Sequence, residues 1–241
     1  MVDPAAGAGC KAFISLGHDE YWDMRQFETV RTLRDAGMSL LFLSGNSVCW
    51  VAPLTHGRRT LARRGRYGDQ SHEGGKDAIE RFGPFPIAGN PDEGLLMGAR
   101  NTLGVMGGGD WRCELQDHWL FEGTGMAKED TIPGLVGWEF HADPPTPEEV
   151  PGLMVVGCGQ AFLAGETAQP YTSTIYPVEG GGGAFVFNAS TVFWAQALAS
   201  PPGHVLPWSH WSRPHGHDAR VQRMTDNLLR RALSRGPAPR L

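Results

Sequence analysis

Cysteine is scarce in this chain. Its four residues, Cys10, Cys49, Cys113 and Cys158, are scattered without CxxC spacing. That excludes a disulfide framework and fits reduced, mostly buried thiols in a cytoplasmic protein. No stretch approaches the ~20 consecutive apolar residues that a membrane helix needs. The segment from Met1 to Gly7 has neither the basic start nor the apolar core of a signal peptide. Positive charge is not in excess either: the formal net charge is −5. A general nucleic-acid binder would show a basic face. The one basic run, Arg58-Arg59 to Arg63-Arg64 and Arg66, reads as a solvated loop. Tyrosine is equally sparse, with only Tyr21, Tyr67, Tyr171 and Tyr176.

Glycine and proline are abundant, 33 and 18 residues, and punctuate the apolar segments without forming a repeat, so loops are many and long. Of eight tryptophans, Trp22, Trp111, Trp119, Trp138, Trp208 and Trp211 lie beside polar clusters. They read as pocket walls or as plain core. The length of 241 residues allows one large domain or two small ones. The expected division is a disordered segment over 1–9, a single domain over 10–236 and a tail over 237–241.

The chain is organised around Gly17-His18-Asp19-Glu20-Tyr21-Trp22. An apolar run, Lys11 to Leu16, precedes it and reads as a strand. Asp23-Met24-Arg25-Gln26 follows with the form of a helix capping box. A helix is expected from Met24 to Ala36, with Met24, Phe27, Val30 and Leu33 on one stripe and Gly37 as its stop. Ser39 to Ser44 is nearly all apolar, as in a strand buried on both faces of a parallel sheet. Strand, helix and strand make a βαβ unit, so Phe13–Leu16 and Leu40–Leu43 should be neighbouring parallel strands in the sheet interior. Residues 47–134 read as irregular: short apolar pieces alternate with Gly-rich turns such as Gly74-Gly75 and Gly107-Gly108-Gly109, with a weak helical turn at Glu93 to Ala99, and short strands and a lid-like excursion over the site are expected. Strands follow at Leu135–Phe140 and Leu153–Cys158, then a hairpin of Tyr171–Val178 and Ala184–Asn188 around Gly180–Gly183. Thr191 caps a short helix over 192–199. The last helix starts at Asp218 and presents Val221, Met224, Leu228, Leu229 and Leu233 on one stripe.

Several groups could carry chemistry. In an open α/β sheet, ligands bind beyond the carboxyl ends of the strands, where Gly17–Trp22 falls. In an extended segment His18 and Glu20 project the same way, so one could bind a cation while the other moves a proton. The competing reading is that Asp19 and Glu20 are ordinary first-turn acids. Glu139 sits inside an apolar strand, as a general acid or base or as a paired core acid. Trp119 to Gly125 offers Glu122 for substrate and glycines for close backbone approach or a tight turn. Cys158 lies in Val156-Gly157-Cys158-Gly159-Gln160, where the glycines are misplaced for a nucleophile elbow, so it reads as structural, with a Cys-dependent amidohydrolase as the alternative. His204, His210, His215 and His217 read as capping or pocket-lining more than as zinc ligands.

Together these stretches resemble a known family. Gly17–Trp22 with the Arg-rich helix ending Asp35-Ala36-Gly37, Leu96–Arg100, Gly107–Trp111, His118–Gly125, Gly137-Trp138-Glu139, Val186–Ala189 and Arg220–Leu229 are similar, in order, to the C-terminal domain of the N,N-dimethylformamidase large subunit. The likeness spans residues 10–235. It implies an α/β, glutamine-amidotransferase-like (flavodoxin-like) fold, a mostly parallel sheet flanked by helices with a long irregular insertion, and no Cys nucleophile. It implies hydrolysis of a small amide, dimethylformamide, to formate and dimethylamine, with a mononuclear iron held by two Tyr and one Glu. On that basis Glu20 is the iron ligand and His18 a catalytic or substrate-positioning group. Glu139 is the proton-transfer group, with Glu122 as the alternative, and Tyr21, Trp22 and Glu122 contact substrate. The family's ligand tyrosines lie upstream of the His-x-Glu, whereas all four here lie downstream of His18. The expectation is therefore a C-terminal piece or split partner of a longer protein, completed by the upstream portion of the large subunit, with a small subunit and an oligomeric assembly as further partners. The third reading is a non-catalytic assembly domain.

Overall fold

The computed structural model describes residues 4–55, 60–61, 66–67, 91–162, 167–199 and 216–234. Its centre is the run Ser39–Ser44, strand β3, buried at every position. Alternation along the strand sends Leu40 and Phe42 to one face of the sheet and Leu41 and Leu43 to the other. The first pair packs with Phe27 and Val30 of helix α1 (Met24–Asp35). The second joins Trp111, Phe187 and Trp194 and the stripe Val221, Met224 and Leu228 of helix α3 (Ala219–Leu233). The Trp111–Trp194 and Phe187–Trp194 rings meet edge to face, 6.1 and 5.5 Å between centroids, the arrangement aromatic quadrupoles favour. Asp23 caps α1 and Asp218 caps α3, each accepting a backbone N–H two residues on.

β1 (Ala12–Gly17) pairs in parallel with β3, from Ala12 opposite Ser39 to Gly17 opposite Ser44, as the βαβ pattern requires. The full order of the sheet is β1-β3-β11-β10-β9-β7-β8. Here β7 is Arg100–Arg112, β8 Thr131–Ala142, β9 Met154–Phe162, β10 Ala168–Pro177 and β11 Phe185–Asn188. Short strands β2 (Tyr21–Trp22), β4 (Trp50–Val51), β5 (Leu54–Thr55) and β6 (Thr60–Leu61) lie outside it, and helix α2 (Gly94–Met97) precedes β7.

The expected flavodoxin-like, glutamine-amidotransferase-like arrangement is overturned. Within this seven-stranded sheet, among the described residues, only β1–β3 and β3–β11 are parallel, and the remaining neighbours, β11–β10, β10–β9, β9–β7 and β7–β8, are antiparallel. Few helices flank the sheet among the described residues. From β7 to β11 the neighbouring strands pair antiparallel, which needs no crossover helices. β1 is also an edge strand, not an interior one, and its Ile14 and Leu16 are exposed. Part of the expected irregular stretch 47–134 is the 13-residue strand β7. Its Gly107-Gly108-Gly109 is strand and not turn because all three pair with β8, and glycine is needed there because β9 passes close by: a Cβ on Gly109 would lie 2.5 Å from the Gln160 carbonyl. The expected helix after Thr191 is a single 3-10 turn, Trp194–Ala197.

Candidate active site

The chain leaves the carboxyl ends of β1 and β3 in two loops that run side by side. Gly45 N–H donates to the Gly17 carbonyl, Val48 N–H to Asp19, and Cys49 and Trp50 N–H to Glu20. β2 and β4 continue the pairing in parallel. Ser15 Oγ donates to Asp19 Oδ2 and lies 3.1 Å from Ser44 Oγ, tying the two strand ends together. His18 and Glu20 are thereby fixed beside the loop Gly45–Cys49. β8 reaches the same place from the far end of the sheet. The segment after β11 draws it in: Val192 N–H donates to the Gly137 carbonyl, and Ser190 and His141 exchange two hydrogen bonds. Gly45 admits this approach because a Cβ there would sit 2.2 Å from the Glu139 carbonyl oxygen.

Three expected residues meet in the cleft so formed. His18 Nε2 is 2.5 Å from Glu139 Oε2 and 3.6 Å from Glu20 Oε2. Asn46 Nδ2 donates to both carboxylates, to Glu20 Oε1 at 3.2 Å and to Glu139 Oε2 at 3.1 Å. Trp50 Nε1 donates to Glu20 Oε1 at 2.9 Å. Two carboxylates side by side repel, and these charge-assisted hydrogen bonds offset the repulsion. The hydrogen bond to Glu139 raises the His18 pKa above its usual value; burial opposes this, and the charges of Glu139, Glu20 and Asp19 add to it. The His18 side chain is 47% exposed, the two carboxylates 12% and 15%. The cleft is open on the imidazole side and closed behind the acids.

A second layer aims Asn46. Asn46 and Val48 both have left-handed backbone, φ 49° and 53°, a conformation that costs most for a β-branched residue such as Val48. The turn is held by its neighbours. Ser47 N–H donates to His141 Nε2 at 3.0 Å, and Asn101 Nδ2 donates to the Ser47 carbonyl at 2.9 Å. With Nε2 accepting, His141 carries its proton on Nδ1 and donates it to Asn188 Oδ1 at 3.0 Å. Complete burial pushes the His141 pKa down to about 4. Asn101 lies directly opposite His141 across the β7–β8 ladder, and its N–H donates to Glu93 Oε1 at 3.0 Å. Asn46, Trp50, His141 and Asn101 were not legible as site residues. His141 had a signal, since it lies two positions from Glu139 on a strand. Asn101 had none.

Other expected residues fall elsewhere. Tyr21 is exposed next to the cleft. Trp22 is fully buried, packed edge to face on Phe13 and tilted against Phe42. Glu122 is exposed beyond the 3-10 turn Trp119–Phe121, where its carbonyl accepts from Asn227 Nδ2. Cys158 lies on β9 against Arg112 and Glu114. His204, His210 and His215 lie outside the described residues, as do Trp208 and Trp211.

No group of three or more His, Cys, Asp or Glu among the described residues is spaced to enclose a metal ion. Glu20 fits one ligand arm: two donors hold Oε1, and the nearest partner of Oε2 is His18. The three buried phenols fit no such set. Tyr67 donates to the Trp22 carbonyl, Tyr171 to that of Asp110 and Tyr176 to that of Leu96, and burial raises all three pKa values.

An imidazole between two unequally partnered carboxylates, with one open side, can give and take protons at a bound molecule. The model of the N,N-dimethylformamidase beta subunit-like, C-terminal family matches residues 3–209, and the chain belongs to that family. The family is dimethylformamidase-like, which supports a related amide-hydrolase role. No curated protein matches the chain. No described helix is long and apolar enough to cross a membrane.

Proposed function

We propose that this chain supplies the acid–base half of a site that hydrolyses the C–N bond of a small amide such as N,N-dimethylformamide. The observation that carries the reading is the convergence of His18, Glu20 and Glu139 on one cleft, bridged by Asn46. Glu139 takes a proton from the attacking water as its oxygen bonds to the amide carbon. It returns that proton to the amine nitrogen as the C–N bond breaks, leaving a carboxylic acid and an amine. His18 orients Glu139 and balances its charge until the proton moves. Glu20, locked on one oxygen by Trp50 and Asn46, presents the other as the ligand arm for a mononuclear iron. Such an ion would supply Lewis-acid polarisation of the carbonyl. One carboxylate does not make a tight site, so the remaining donors would come from another segment, an upstream portion of the large subunit or a companion subunit in an oligomer.

The test is the assembled protein, assayed for amine release and metal content. Glu139→Gln should keep the metal and lower kcat by roughly 10²–10⁴-fold, the usual worth of proton transfer. Glu20→Gln should lose the metal. Full activity in Glu139→Gln would remove the proposed base, and inactivation by Cys158→Ala with the fold intact would move the chemistry to the thiol.

A further inference from the structure

The segment His118–Phe121 takes no part in the cleft, yet it walls a second cavity at the opposite end of β11. This cavity has a volume of about 430 Å³, within the roughly 300–1,000 Å³ typical of small-molecule sites. Its walls are apolar, from Trp119, Met154, Ile175 and Phe185, with Trp119 set edge to face on Phe185 at 5.2 Å. Three polar side chains line it: Tyr176, whose hydroxyl is already given to the Leu96 carbonyl, and His118 and Arg231. The Arg231 guanidinium stacks 5.3 Å over the Trp119 ring, and no carboxylate among the described residues forms an ion pair with it. Its neighbours on α3 are paired differently, with Arg223 and Arg230 both on Asp226. His118 is fixed in one tautomer by a local cap: Leu120 N–H donates to its Nδ1, so Nε2 carries the proton. Burial, with the Arg231 charge adding to it, lowers the His118 pKa and keeps the ring neutral. An apolar chamber whose cation has no counter-charge among the described residues, with a neutral N–H donor at its rim, suits an anion with an apolar body.

We propose that this cavity binds a small apolar monocarboxylate, with the carboxylate on Arg231 and His118 and the hydrocarbon part against Trp119, Met154, Ile175 and Phe185. The guanidinium fork matches a carboxylate, and its stack on Trp119 holds it in place without quenching its charge. The site shares no residue with the His18–Glu139 cleft and does not depend on the hydrolase reading.

The experiment is calorimetric titration of the full chain with phenylacetate and with octanoate, using 2-phenylethanol as the neutral control. At least one acid should bind one site per chain, the alcohol at least tenfold more weakly. Arg231→Gln, a change at an exposed position that leaves the core intact, should weaken the acid at least tenfold. Glu20→Gln should leave acid binding unchanged, which separates this cavity from the cleft. Equal binding of acid and alcohol, unchanged binding in Arg231→Gln, or no binding of either acid would overturn the proposal.

Discussion

His18 follows the first strand of the sheet order and Glu139 lies on the last, yet their side chains meet at 2.5 Å. The two edges are brought together by the segment leaving β11, where Ser190 and Val192 bond to β8. The cleft therefore exists only when the whole sheet has formed, and the charge state of His18 reports on that closure.

Because the His18 pKa is raised above 6.5 in the folded chain, its contribution to stability is fully present below pH 6.5. It is lost as pH rises through the raised value. The difference in urea midpoint between the native chain and His18→Gln should be largest near pH 6 and shrink toward pH 9. A difference that stays flat over that range, or an NMR titration of His18 with a midpoint at or below 6.5, would contradict the pairing with Glu139.

His141 carries the opposite sign. Its folded pKa is depressed to about 4 from 6.5, so the unfolded chain binds the extra proton between those values. The stability it contributes is present above pH 6.5 and lost as pH falls toward 4, about 3 kcal/mol in total at 1.4 kcal/mol per unit. His141→Gln should be less stable than the native chain at pH 7, and should lose about 3 kcal/mol less on acidification to pH 4. Parallel acid denaturation of the two proteins would show that His141 is not buried neutral.

Glu93 is held up to about 7 by burial. Its protonated form is favoured in the fold, so the stability tied to that proton is present below pH 4.5 and lost as pH climbs through about 7. Glu93→Gln keeps an acceptor for the Asn101 N–H and removes the buried charge. The variant should match the native chain near pH 4.5 and exceed it by up to about 3 kcal/mol at pH 9. Thermal melts at the two pH values check this, and a variant that is weaker at pH 9 would refute it.

The legible parts of the molecule were those governed by local rules. The apolar run of β3, the stripe and cap of α1, and the stripe of α3 follow from periodicity alone, and the parallel pairing of β1 with β3 follows from the helix between them. Strands β8, β9 and β10 and the β10–β11 hairpin were legible from apolar runs and alternation, whereas β7 and its place between β9 and β8 were not, because its glycines read as turns. Gly107–Gly109 belongs to a strand because it pairs with β8 on one side and lies against β9 on the other, a tertiary fact. Glu139 stood out as a carboxylate among apolar neighbours, and His18 and Glu20 by their strand-end position. Asn46 carried no signal of its own. Its use depends on β8 arriving from the other edge of the sheet.

Asn46 gives the sharpest test of that arrangement. Its one amide nitrogen donates to both carboxylates, and Asn101 holds its turn by the Ser47 carbonyl while His141 holds the Ser47 N–H. Hydrogen bonds to charged groups are worth about 1.5–3 kcal/mol, and 1.4 kcal/mol is tenfold in rate. Asn46→Ala in the assembled protein should therefore lower kcat at least tenfold, and it should also lower the melting temperature, because Ala fits the left-handed backbone at this position (φ 49°) less well than Asn. Asn46→Asp should do more harm, because a third carboxylate beside two others adds repulsion and raises the His18 pKa further. Asn101→Ala should reproduce the kcat loss from a distance, since it frees the turn that aims Asn46. Once Asn46 is already Ala, the Asn101 change has no amide left to misplace. The double variant should then lose no more kcat than Asn46→Ala alone, although its stability falls further. Multiplicative losses in kcat would mean that Asn101 acts by another route.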